Sequence, residues 1–94
     1  MSTIPTNLTV PLGQVLLTRT VTETIHPGDV FEALVRHRNG DWGDLCDEDW
    51  RLNDEALKEG SRLLSTYVDR EGTKFWIITE WDRSATTVLL PEEY

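Results

Sequence analysis

"RLLSTYVDREGTKFWIITEWDRSATTVLLPEEY", residues 62–94, decides the fold. "RLLSTYVD" and "TKFWIITEW" are rich in β-branched and aromatic residues and alternate at period two, the pattern of strands. They flank "REG", a short link whose Gly72 accepts positive φ, which is a hairpin signal. "ATTVLLPEEY" follows a second turn at "DRS" and runs to Pro91, where a sheet ladder loses a donor. These three segments predict an antiparallel meander. Phe75, Ile77 and Val88 fall on one side of it and Trp76, Ile78 and Leu89 on the other. Both sides are apolar, so the pattern leaves open which one turns inward.

Upstream, the period changes. "GQVLLTRTVTE", residues 13–23, reads as a further strand: Val15, Leu17 and Val21 recur at period two against Thr18, Thr20 and Thr22, with Arg19 interrupting the apolar side. "HPGDVFEALVRHRNG", residues 26–40, is helical. Pro27 suits a first helical position, Asp29 complements the positive helix start, and Val30, Ala33, Leu34 and His37 share one side before Asn39 and Gly40 end it. A second helix runs from about Asp47 to Glu59 and stops at Gly60. Its inward arc holds Trp50, Leu52, Asn53, Ala56 and Leu57, and its outward arc Asp47, Glu48, Arg51, Asp54, Glu55, Lys58 and Glu59. The expected fold is therefore α+β, in the order β-α-α-β-β-β, with two helices on one face of an antiparallel sheet. Residues 1–12 contain Pro5 and Pro11 and no sustained period, so they read as a mobile arm ahead of one domain, residues 13–94.

At 94 residues the chain has room for one modest core, burying roughly two-thirds of its unfolded surface. Seventeen acids against nine bases give a formal net charge of -8. That balance disfavours direct binding to nucleic acid or anionic membrane and suits a basic protein partner. The single cysteine, Cys46, cannot form an internal disulfide, no apolar run reaches the roughly 18 residues of a membrane span, and the N-terminus lacks a signal-peptide pattern. Cytoplasmic localisation is the expectation.

"NGDWGDLCDEDW", residues 39–50, raises the question of metal. A helix-loop-helix calcium site needs oxygen ligands at its first, third and fifth positions, glycine at the sixth and glutamate at the twelfth. Counting from Asp41 puts Gly43, Leu45, Cys46 and Leu52 there, and counting from Asp47 puts Leu52 and Lys58 at the last two, so neither register fits. Cys46, His26 and His37 do not form a zinc spacing. His37 reads as a polar residue at its helix end. Cys46 stands among acids, which raise a thiol pKa where catalysis needs it lowered. No cofactor loop or nucleophile elbow occurs, and the chain reads as a non-enzyme; a small metal-dependent hydrolase is the least favoured alternative.

The segment from Asp41 to Glu59 holds eight acids and two bases. Acids in a helix's first turn and the Asp54–Lys58 spacing are ordinary helix chemistry. The functional reading is an acidic docking face formed by Asp41, Asp44, Asp47, Glu48, Asp54, Glu55 and Glu59, with Trp42 as a loop anchor and Trp50 in the core.

"GDWGD", "NDEAL", "GTKFWIITE" and "TTVLLPEEY" carry a resemblance, over about residues 38–94, to a family of small bacterial proteins of plasmids and integrative elements, often labelled plasmid-related proteins. Trp81 departs from the small residue of that pattern. The resemblance implies a mobile-element context and no catalytic residues. Context and charge together suggest a non-catalytic binding protein, such as an anti-restriction or anti-CRISPR inhibitor that mimics nucleic acid towards a host nuclease or another nucleic-acid-binding protein. The alternative is an accessory factor in plasmid maintenance or transfer, acting through a sheet-mediated homodimer.

Overall fold

The computed structural model describes residues 9–94. The elements are β1 (Gln14–Leu17), α1 (Arg19–Thr24), α2 (Pro27–Arg38), α3 (Asp47–Glu59), β2 (Leu63–Val68), β3 (Lys74–Thr79) and β4 (Ala85–Leu89), followed by a 3-10 turn at Pro91–Glu93. The fold is α+β, and β2, β3 and β4 form the antiparallel meander. The sheet as a whole is mixed, in the order β1-β4-β3-β2, because β1 lies parallel to β4. This corrects the purely antiparallel expectation. The connection from β1 passes through all three helices to β2 at the far edge, and the meander then returns β4 to β1's side.

The second correction concerns residues 18–24. Thr18 leaves the strand and caps α1, its hydroxyl accepting from the Val21 N–H at 3.2 Å. Arg19 and Glu23 pair across one turn at 3.2 Å, and Val21 and Ile25 are buried. A threonine cap, an i,i+4 ion pair and an i,i+4 apolar pair prevail over the strand preference of the β-branched residues. There are thus three helices, not two. α2 starts as read, with Pro27 in its first turn and Asp29 behind it. Asp29 accepts from the Arg70 backbone N–H and guanidinium, each at 3.0 Å, which ties the helix start to the β2–β3 turn. These Arg70 bonds hold the Asp29 carboxyl down at about 2.

The Phe75, Ile77 and Val88 side of the sheet faces inward. It packs against Val21, Ile25, Val30 and Ala33 of the first two helices, with Tyr67 and Leu90 completing the cluster. A second cluster joins Val10, Trp42 and Leu63 to the half-buried Leu12, Leu45, Trp50, Ala56 and Leu57. Val10 is therefore core. Its N–H donates to the Arg38 carbonyl at 2.7 Å, so residues 9–12 belong to the domain and not to an arm; the rest of that expected arm, residues 1–8, lies outside the described residues. The opposite sheet face carries Trp76 edge-on to Tyr94, with Arg62 above the Tyr94 ring.

α3 lies along the β2 edge and buries a narrow stripe. Asn53 is its buried centre, while Leu52, read as inward, is 49% exposed because it sits a full 100° step round the helix from Asn53. The Asn53 amide donates to the Leu64 carbonyl at 2.6 Å and accepts from the Leu64 N–H at 3.3 Å, so one side chain satisfies both edge groups of that strand residue. Replacing Asn53 with leucine leaves that N–H and C=O without partners. The expected loss is about 1–3 kcal/mol in denaturant unfolding; an unchanged midpoint would show that water replaces the amide. At the other end of α3, Arg83 donates to the Ala56 and Ser61 carbonyls, placing its charge at the helix C-terminus.

Candidate functional site

The acidic residues divide into two groups. Asp41 and Asp54 are tied into the structure. Asp41 takes two bonds from the Arg36 guanidinium, at 2.9 and 3.3 Å, and one from the Gly43 N–H at 3.1 Å. The Arg36 bond is the main reason that its carboxyl sits below the ordinary value. Asp54 accepts from the Trp42 indole N–H at 2.9 Å. Glu55 is paired with Arg51 at 3.1 Å, on the surface, where such pairs are weak and exchangeable. Asp44, Asp47, Glu48, Asp49 and Glu59 are exposed and make no ion pair among the described residues.

This second group forms the open negative surface. Asp47, Glu48 and Asp49 occupy the first turn of α3, where the Cys46 side chain makes no capping bond. Charge rather than a side-chain cap therefore complements the helix start. Glu59 lies at the far end, and Asp44 is held nearby because its N–H donates to the Thr66 carbonyl at 2.8 Å. Two anchors fix the helix beneath the acids, Asn53 on Leu64 and Asp54 on Trp42. α3 is hydrogen-bonded to the domain on its inner side, and these acids are exposed.

Trp42 is the correction at this site. It is not a loop anchor available to a partner; it is 0% exposed and centres the second core cluster. Gly43 makes this possible. With φ at +77° it brings the loop so close to β2 that an added Cβ would collide with the Thr66 carbonyl. The Thr66 N–H in turn donates to the Trp42 carbonyl at 3.2 Å, and Gly43 forms an isolated parallel bridge with Thr66. The glycine beside the tryptophan was the available signal. The exposed tryptophan is instead Trp81, at 66%, in the β3–β4 turn.

A buried polar chain runs through the core and was not read from the sequence. Thr86 Oγ1 donates to the Leu12 carbonyl at 2.7 Å, since a carbonyl only accepts. Thr79 must then donate to Thr86, at 2.8 Å, and accept from His37 Nε2–H, also at 2.8 Å. That leaves His37 Nδ1 to accept from the Ser65 hydroxyl at 2.5 Å. All four side chains are 0% exposed. Burial, with a smaller contribution from the Arg83 charge, lowers the His37 pKa to about 4, so the ring is neutral at pH 7 with its proton on Nε2. His37 is thus a fully buried core residue and not merely a polar residue at its helix end. The Ser65–His37 pair has the contact geometry of a nucleophile and its base, but no path lets a substrate reach a hydroxyl with zero exposure. Its periodic signal was present: His37 shares an arc with Val30 and Ala33, and Ser65, Thr79 and Thr86 share the core face of the sheet.

Cys46 is free and exposed. Among the described residues no three His, Cys, Asp or Glu side chains converge to hold a metal, and no helix is long and apolar enough to cross a membrane. Comparison of the chain with family models, with curated proteins and with solved structures finds no match in any of the three.

Proposed function

We propose that this protein is a small non-catalytic binding module that presents the acidic face of α3 to a basic, nucleic-acid-binding protein. The observation that carries the reading is the separation of the acids by role. Asp41 and Asp54 hold the loop and the helix in place, whereas Asp44, Asp47, Glu48, Asp49 and Glu59 are exposed and make no ion pair among the described residues. The exposed carboxylates of the loop and of the first turn of α3 make this end of the domain negative, and a basic channel would attract it over roughly a Debye length, ~8 Å at physiological salt. A mobile element that carries such a protein gains by occupying the nucleic-acid channel of a restriction or CRISPR nuclease, or of a host nucleic-acid-binding protein.

The test compares affinity capture by the wild type and by a variant carrying Asp44→Lys, Glu48→Lys and Glu59→Lys, which leaves both structural acids intact. The expected result is capture of a basic nucleic-acid-binding protein by the wild type, displaced by duplex DNA or RNA and by raised salt, and lost in the variant. Identical sets captured by both proteins would end the proposal.

A further inference from the structure

The sheet has two edges, and among the described residues only one is closed. At the β2 edge, Thr66 is bonded on both sides of its peptide by Trp42 and Asp44, and Leu64 is bonded by Asn53. At the β1 edge nothing comparable occurs among the described residues. The Gln14 N–H donates to the Ser84 carbonyl and the Thr18 N–H to the Val88 carbonyl, which fixes the alternation. Residues 14, 16 and 18 address β4, and the N–H and C=O groups of Val15 and Leu17 point away from it. The side chains at this edge are apolar on both faces, with Val15 39%, Leu16 42% and Leu17 39% exposed. β1 carries no lysine, proline or bulge of the kind that blunts an exposed edge.

Charge identifies the occupant. The chain is at -8, so two copies repel wherever their charged surfaces meet, yet residues 1–18 contain no ionisable side chain and all the acids and bases lie from Arg19 onwards. β1 itself is uncharged, with Glu93 bonded at Thr18 and the Arg19–Glu23 ion pair just beyond it, and the acidic α3 sits by β2 at the opposite end of the sheet. We propose that two copies pair through β1, antiparallel about a twofold axis at Leu16, forming one continuous eight-stranded sheet. Val15 of each copy then exchanges both backbone hydrogen bonds with Leu17 of the other, and the two Leu16 side chains meet on the axis as a non-hydrogen-bonded pair. Four-residue strands bury less than the ~1,200–2,000 Å² of a standard interface, so the dimer is a concentration-dependent one. Its geometry carries the two acidic faces to the outer ends, which goes beyond the binding role proposed above and does not depend on it.

Cysteine cross-linking in a Cys46→Ser background tests the register. Across the axis, residue 16 of each copy is about 4.5 Å apart at Cα, within disulfide reach, whereas two residues at position 15 lie on a diagonal of about 7–8 Å. Leu16→Cys is expected to form an intermolecular disulfide under mild oxidation at least about tenfold faster than Val15→Cys. In sedimentation the wild type is expected to shift from monomer to dimer with concentration, and Leu16→Lys to stay monomeric with an unchanged circular dichroism spectrum. A wild type that remains monomeric up to on the order of 1 mM overturns the proposal. Equal cross-linking at 15 and 16, or a Leu16→Lys variant that still dimerises, also overturns it.

Discussion

Trp42→Ala is expected to destabilise the domain by about 3–5 kcal/mol, the range for removing a fully buried tryptophan. Trp42 is 0% exposed, lies edge-on to the His37 ring at 5.4 Å, and supports Val10 and Leu63. Its indole N–H is the bond that Asp54 accepts, so the substitution also releases α3 from the loop. A domain of this size is stable by only about 5–15 kcal/mol in total, and the melting temperature is expected to fall by on the order of 20 °C. Thermal unfolding followed by circular dichroism measures it. Trp81→Ala is the control: Trp81 is 66% exposed, and removing it is expected to change stability by less than about 0.5 kcal/mol. If the two variants melted alike, Trp42 would not be a core residue. The experiment also matters for partner binding, because lost binding in Trp42→Ala would report a disordered acidic face and not a lost contact.

What the sequence made legible follows from how locally each feature is encoded. The β2–β4 meander, α2 and α3 are each specified by their own periodicity and end signals, so Pro27, Gly60 and Gly72 fall where a local reading puts them. α1 was missed because threonine serves two purposes: alternating Thr and Val look like a strand, while Thr18 is a helix cap whose value appears only once Val21 and Ile25 have a sheet to pack on. Non-local geometry hid the rest. β1 pairs with β4 about seventy residues away, and the burial of Trp42 depends on Gly43 meeting Thr66. The acidic face was legible as composition, but its division into structural and free carboxylates was not. Asp41 and Asp54 look like their neighbours until Arg36 and the Trp42 indole are placed beside them.

The buried histidine gives the domain an acid sensitivity that its carboxylates alone would not produce. His37 has an ordinary pKa of 6.5 and is lowered to about 4 in the fold by burial. A base whose folded pKa lies below its unfolded value binds protons more readily when unfolded. Its contribution is therefore fully present above pH 6.5 and is lost progressively as the pH falls towards 4. The difference corresponds to about 3 kcal/mol, and to a fall in melting temperature on the order of 15 °C between those two pH values. Asp29, Asp41, Asp82 and Glu93 are all depressed by their hydrogen-bond partners and act in a lower window, losing their stabilisation as the pH drops below their ordinary values of 3.8 and 4.5. Protonating His37 does more than charge the core. Nδ1 stops accepting from Ser65 and becomes a donor, so the Ser65 hydroxyl must turn round and the chain through Thr79 and Thr86 stays oriented from one side only. His37→Gln is the decisive comparison. It is expected to be less stable than the wild type at pH 7 because it disturbs the ring's contact with Trp42, yet its stability should be nearly flat between pH 6.5 and about 4.5 where the wild type's falls. A wild-type slope that survives in His37→Gln would assign the acid sensitivity to a group other than the buried imidazole.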